Sequence, residues 1–99
     1  MVFITQLVYV NPGQERVFDE FEAIALPLID EHGGELLLRL RPSGADVIAR
    51  SIELPYEIHL VRFPSEEAFS RFAADERRQR VLHLKNASVR SSLLIRGTT

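Results

Sequence analysis

YEIHLVRFPSEEAFSRF, residues Tyr56–Phe72, places an apolar strand directly before a capped helix, and it decides the fold class. The segment Tyr56–Phe63 is rich in β-forming residues, and Pro64 ends it because proline cannot donate to a strand ladder. Ser65 is a typical N-cap, since its hydroxyl can accept a hydrogen bond from the following turn. The next apolar residues recur at helical spacing and predict one apolar helix face: Ala68, Phe69, Phe72 and Ala73. We therefore expect this strand and helix to pack together.

Three segments precede this unit. Val2–Val10 is a near-continuous apolar run, which is typical of a strand buried on both faces. From Gln14 to His32 the apolar residues follow helical spacing with acids opposite, which predicts a long amphipathic helix. Pro27 lies inside it, so we expect a kink or break near residues 23–27. Glu35–Arg41 alternates as a half-buried strand does. Its core-facing set would be Leu36, Leu38 and Leu40, and its outward set Glu35, Leu37, Arg39 and Arg41.

The remaining segments complete an α+β domain over residues 1–99. Ala45–Leu54 is expected to hold a short extended segment, Ala74–Asn86 a second short helix, and Arg90–Arg96 the closing strand. The order β-α-β-β-α-β predicts the ferredoxin-like arrangement, with a four-stranded antiparallel sheet and two main helices on one face. Strands 1 and 3 should lie in the middle. The open sheet face would carry apolar side chains, so we expect a partner sheet to cover it.

Composition narrows the protein class. The chain has 99 residues, a net charge of −2 and no cysteine. Without cysteine there is no disulfide framework, thiolate nucleophile or cysteine-type metal site, which is consistent with a reducing cytoplasm. The N-terminal run lacks a signal-peptide pattern and is too short to cross a bilayer. We expect one cytoplasmic domain with no membrane partner.

Four stretches resemble a known superfamily, the dimeric α+β barrels. They are Ala25–Leu28, His32–Glu35, Val61–Ala68 and Leu93–Gly97, and they are similar to a small bacterial branch of domains of unknown function. The resemblance covers nearly the whole chain, except that an arginine-rich stretch at 74–89 replaces an expected tyrosine-bearing pattern. It implies a homodimer in which two subunits press their open sheet faces together. It also implies that some relatives oxidise or rearrange aromatic and polyketide-like compounds without a cofactor.

Arg39, Tyr56 and Arg62 are candidate ligand-binding residues because the predicted sheet would bring them to one open face. Two guanidinium groups and a phenol at the rim of an inter-subunit cleft would suit an acidic or aromatic small molecule. We favour a simpler interpretation of the arginines, in which they pair with Glu35, Glu57 or carboxylates of a second subunit.

His59 is the fourth candidate, in the middle of strand 3. Its near-neutral pKa could serve an acid, a base or a ligand hydrogen bond, although a satisfied core or interface histidine is the interpretation we favour. His32 would act as a cation near a helix C-terminus, and His83 would lie on the surface. No two histidines have metal-ligand spacing, and none has an obvious carboxylate neighbour at metal geometry, so we expect no metal and no cofactor.

Three functions remain open at this point. The first is a homodimeric binder of a small organic molecule in the cleft at the open face. The second is a cofactor-independent monooxygenase or isomerase acting on an aromatic or polyketide-like compound, with His59, Tyr56 and Arg62 as candidate groups.

RNA binding is the third function. Residues 71–96 hold seven basic and two acidic side chains, and VFITQL loosely matches an aromatic motif of the RNA-recognition fold. Strand 3 lacks the second motif and the chain is net acidic, so we expect no nucleic-acid partner.

Overall fold

The computed structural model describes all 99 residues, Met1–Thr99. Its elements are β1 Val2–Val10, α1 Glu15–Glu31, β2 Glu35–Leu40, β3 Glu57–Phe63, α2 Glu66–Ala74, α3 Glu76–Arg80, α4 Leu82–Ser88 and β4 Val89–Thr98. The strands form one antiparallel sheet in the order β2-β3-β1-β4, so the predicted ferredoxin-like sheet with strands 1 and 3 in the middle is confirmed. The expected second short helix is divided into α3 and α4.

The core lies between the helices and one face of the sheet. Phe63 on β3 is buried, and its ring lies 5.5 Å from that of Phe69 and 5.4 Å from that of Phe72, both on α2. The hydroxyl of Ser65 accepts a hydrogen bond from the N–H of Ala68 at 3.1 Å, as a helix N-cap does. The expected packing of this strand and helix is therefore confirmed.

Helix α1 is the longest helix and packs against β3, where its Ile29 shares a core cluster with Val61 and Phe63. It runs without a break through Pro27, which is exposed, so the expected break is wrong. Ala25 and Leu28 are buried on either side of Pro27, and this packing holds the helix together despite the missing backbone hydrogen bond. None of the helices combines the length and the apolar content that crossing a bilayer would require.

The turn after α1 depends on two glycines. Gly33 has a φ of +78°, a backbone conformation that favours glycine. At Gly34 a Cβ atom would lie 2.7 Å from the ring of Phe63 and 2.9 Å from the side chain of Ile29. The helix end therefore approaches β3 more closely than any larger residue would allow.

Strand β2 contains a bulge. Leu36 pairs with Val61 and Leu38 pairs with Leu60, so Leu37 is an extra residue on β2. Because side chains alternate along a strand, one extra residue reverses which side chains face the helices.

The bulge overturns the expected alternation of β2. Leu36 faces the helices, whereas Leu38 and Leu40 lie on the open face and are 46% and 36% exposed. Arg39 stands opposite His59 and, like Arg41, reaches the helix side.

The open face of the sheet is apolar. Strands β1 and β3 contribute half-buried side chains, and the edge strands contribute exposed ones. The exposed members are Leu38, Leu40, Leu93 and Ile95.

An irregular segment connects β2 to β3. It contains one short 3-10 turn, Gly44–Asp46, and no strand, so the expected extended segment at 45–54 is wrong. The phenol of Tyr9 donates to the carbonyl of Glu53 at 2.8 Å, and Arg90 pairs with the Glu53 carboxylate at 2.6 Å. These contacts tie the segment to the strands β1 and β4.

Candidate functional site

A cavity of about 120 Å³ lies between the helix layer and the sheet. Fourteen of its 19 lining residues are hydrophobic, so its surface suits an apolar molecule. The polar side chains in the wall come from five different elements. They are Gln6 on β1, Glu22 on α1, His59 on β3, and Arg78 and Lys85 on α3 and α4.

Glu57 and His59 are adjacent on the helix side of β3, where both are buried. The His59 Nε2 atom forms a hydrogen bond with Glu57 Oε2, and Glu57 also accepts from the Nε atoms of Arg39 and Arg41 at 3.1 and 3.0 Å. Burial alone would raise the pKa of Glu57, but the hydrogen bonds from His59 and the arginines outweigh it and lower the pKa to about 2. An ionised carboxylate only accepts, so Nε2 of His59 carries a hydrogen. Glu57 is thus ionised at neutral pH, and its hydrogen bond orients the His59 ring.

Glu22 lies at the cavity wall beside His59. Its side chain is 8% exposed, its Oε2 atom has no hydrogen-bond partner, and this atom lies 3.8 Å from His59 Nε2. Burial raises the pKa of Glu22 to about 7; the attraction of His59 opposes this rise and repulsion from Glu57 adds to it. Glu22 can therefore take up or release a proton near neutral pH.

Arg78 and Lys85 bring positive charge to the same cavity. The Arg78 guanidinium lies over the rings of Phe21 and Phe72, at 5.7 and 5.5 Å from their centres. Its Nε atom is buried without a hydrogen-bond partner, and one terminal nitrogen donates to the carbonyl of Ala73 at 3.2 Å. Burial lowers the pKa of Arg78 and also that of Lys85, where the charge of Arg78 lowers it further.

The structure places three of the four predicted candidates on the helix side and one on the open face. Arg39 and Arg62 do not share a face, so that expectation is wrong, and the bulge at Leu37 is the reason. Arg39 pairs with Glu57 at 3.1 Å and Arg62 pairs with Glu35, as the simpler interpretation predicted.

Tyr56 also turns towards the helices. Its ring meets the ring of Phe18 edge-on at 6.0 Å, and the guanidinium of Arg41 lies 4.8 Å from its centre. Burial raises the pKa of Tyr56, and the charge of Arg41 opposes the rise. The phenol therefore belongs to the group around Glu57, although it does not line the cavity.

His59 has two carboxylate neighbours, contrary to the expectation that none of the histidines has one. Ligand atoms of His59, Glu22 and Glu57 lie within 4.8 Å of one another. Both oxygens of Glu57 already accept hydrogen bonds from guanidinium groups, and a cation would have to displace these contacts. This set therefore fits proton exchange better than metal coordination.

The other two histidines lie outside this group. His32 binds the carboxylate of Asp75 at 2.8 Å, and His83 is exposed.

Sequence reasoning missed Glu22, Arg41, Arg78 and Lys85. A signal for Glu22 exists, because it lies four residues after Phe18 and three before Ala25, within the apolar face of α1. No comparable signal marks Arg78 or Lys85, since both lie in a strongly charged stretch.

No protein-family profile matches the sequence, and no curated protein shows significant similarity to it. Solved structures do share its fold. A protein of unknown function from Rhodopseudomonas palustris is 18% identical, with a TM-score of 0.83 over 99% of this chain and 81% of that chain. A dimeric ferredoxin-like protein of unknown function from Jannaschia is 20% identical, with a TM-score of 0.72 over 99% and 98%. A dabb family protein from Mesorhizobium loti is 13% identical, with a TM-score of 0.70 over 99% and 95%.

At these identities the likeness establishes the fold. The protein has the ferredoxin-like α+β fold predicted from its sequence, and its resemblance to bacterial proteins of unknown function with this fold is confirmed.

Proposed function

We propose that this protein is a homodimer that binds a small organic molecule in the cavity between its sheet and its helices. The observation that supports a ligand is the unpartnered Oε2 atom of Glu22 in a mostly apolar wall. Leaving a buried polar atom without a partner is unfavourable, and a ligand could supply the partner while its apolar part fills the cavity. An engineered cavity of roughly 150 Å³ in another protein holds benzene, so about 120 Å³ suits a molecule of about one ring.

The apolar open face supports the homodimer. Leu38, Leu40, Leu93 and Ile95 are exposed there on both edge strands, and such a contiguous apolar patch marks an interface. A structural relative is itself described as dimeric. We favour a second copy over RNA as the partner because Arg62, on the same face, is already paired with Glu35.

A proton-transfer enzyme is the second candidate function. Glu22, with a pKa near neutrality, stands beside a histidine whose ring Glu57 holds in place. In an isomerase, the Glu22 carboxylate would remove a proton from a carbon next to a carbonyl group and return it to another carbon. A monooxygenase would need dioxygen in addition, so we favour the isomerase form of this candidate.

Native mass spectrometry of the untreated protein tests the proposal, because it reports subunit number and any retained molecule together. Backbone NMR with small ring compounds then locates binding, and we expect shifts confined to residues around the cavity. A ligand-free monomer with no such shifts would overturn the proposal.

Two variants test the interface separately. Leu93→Asp should produce a monomer, whereas Ile48→Asp, in a fully exposed position of the β2–β3 connection, should leave the dimer intact. A dimer that tolerates the change at Leu93 would contradict this interface.

A further inference from the structure

We infer that the ligand of this cavity is a small organic anion, whose charged group binds Arg78 and Lys85 and whose apolar body is about one ring in size. The inference rests on the proposed function, namely that the cavity is a ligand site. It adds the chemical class of the molecule.

The first step is that neither of these two cations forms a salt bridge, although the charge of Glu22 attracts both at longer range. Four of the basic residues of the arginine-rich stretch and the following strand form ion pairs with acids: Arg77, Arg80, Arg90 and Arg96. Arg78 and Lys85 are more buried than these four, and neither is within 4.0 Å of a carboxylate oxygen. Half-buried charges without partners are unfavourable, and an anion in the cavity would compensate them.

The second step excludes the nearby acids as the missing partner. Glu57 is already matched by Arg39 and Arg41. Glu22 has a pKa raised to about 7 by burial and, even when ionised, carries one negative charge against the two positive charges of Arg78 and Lys85. The cavity wall therefore keeps a net positive charge, carried by a guanidinium that stays protonated.

The third step concerns orientation. The guanidinium of Arg78 is held over Phe21 and Phe72, and its buried Nε–H has no acceptor. A carboxylate, phenolate or enolate oxygen is the acceptor that such a donor prefers. Glu22, when protonated, can donate to a second oxygen of the same ligand. The 14 hydrophobic residues of the wall would contact the ring or alkyl group.

The test compares three probes that share one ring and differ in charge: benzoate, benzyl alcohol and benzylamine. In NMR titrations at about pH 6, where Glu22 is mostly protonated, benzoate should bind at least about tenfold more tightly than benzyl alcohol, because its carboxylate forms a charge-assisted hydrogen bond with Arg78. Benzylamine should bind most weakly.

Variants identify the cations. Lys85→Met and Arg78→Met should each weaken benzoate binding by about tenfold and leave benzyl alcohol binding nearly unchanged. Arg80→Met is the matched control, because Arg80 lies on the same helix as Arg78, is exposed and pairs with Glu76. If Arg78→Met does not fold, Arg78→Lys preserves the charge and should retain benzoate selectivity, and Lys85→Met still tests the site.

The outcomes separate the two proposals. Equal binding of benzoate and benzyl alcohol would overturn the charge inference and leave the cavity a ligand site. Loss of benzoate binding in Arg80→Met to the same extent would also overturn it. Failure of all three probes to bind the wild-type protein would overturn the proposed function as well.

Discussion

Replacing Glu22 with glutamine should stabilise the protein above neutral pH and have no such effect in acid. Glutamine has nearly the same shape as glutamate but carries no charge. The wild-type carboxylate is buried, and its pKa is raised from 4.5 to about 7 because the ionised form is poorly solvated there. Ionised Glu22 therefore destabilises the folded state.

The size of the effect follows from the pKa. A shift from 4.5 to about 7, at about 1.4 kcal/mol for each pKa unit, corresponds to about 3 kcal/mol. The side chain is only 8% exposed, so solvent screening reduces this figure little. Below pH 4.5 both states are protonated and the charge has no effect. Between 4.5 and about 7 the unfolded chain loses its proton first, so wild-type stability falls as the pH rises, and above about 7 the loss is complete.

Urea unfolding at a fixed protein concentration, repeated from about pH 4.5 to about pH 8.5, measures this. The free energy of unfolding of Glu22→Gln minus that of the wild type should rise by about 3 kcal/mol across the series. Glu20→Gln, exposed on the same helix, is the control and should show no such trend. A difference that stays constant with pH would refute the reasoning, as would a Glu22 carboxyl resonance that titrates near 4.5.

Three further predictions concern packing, the buried anion and ligand binding. Gly34→Ala should lower the free energy of unfolding by about 2 kcal/mol, because the added Cβ would lie 2.7 Å from the ring of Phe63. Gly44→Ala is the control: Gly44 faces open space, so this change should have little effect in the same urea assay. Glu57→Gln should destabilise the protein by about 2 kcal/mol at neutral pH, because the lowered pKa of Glu57 means that its ionised form stabilises the fold. The difference in unfolding free energy between the variant and the wild type should narrow as the pH falls from 4.5 through about 2, where the carboxylate is protonated. Benzoate binding near pH 7 should be accompanied by proton uptake, because a bound anion favours the protonated form of Glu22. Calorimetry in two buffers of different ionisation enthalpy measures the proton uptake. An equal heat of binding in both buffers would contradict the prediction.

The order and pairing of the elements could be predicted because local patterns contain them. The hydroxyl of Ser65 caps α2, and the alternation along β3 turns Phe63 towards the helices, as the pattern of these residues indicates. Apolar periodicity and capping act over a few residues, so a single sequence is sufficient to recognise them.

The site could not be predicted in the same way, because its members come from distant parts of the chain. An acid in an amphipathic helix is usually solvated, and only the position of Glu22 within the apolar face of α1 distinguishes it. Arg78 becomes part of the cavity through contact with Phe21 and Phe72, which precede it by 57 and 6 residues. Such contacts depend on how the layers pack, and nothing in the local pattern encodes them.

The side of the sheet on which Arg39 lies could not be predicted, for a different reason. ELLLRLR alternates well enough to predict a regular strand, and the bulge appears only when β2 is paired with β3. Register is a property of two strands together.

The extra residue at Leu37 has an evolutionary consequence. Inserting or deleting one codon in β2 would reverse the sheet face on which every later residue of the strand lies, without changing the identity of those residues. In this chain that exchange moves a guanidinium to the buried carboxylate of Glu57 and a leucine to the exposed sheet surface. In this chain a single length change in an edge strand can thus place a charge pair in the interior and an apolar side chain on the open face together.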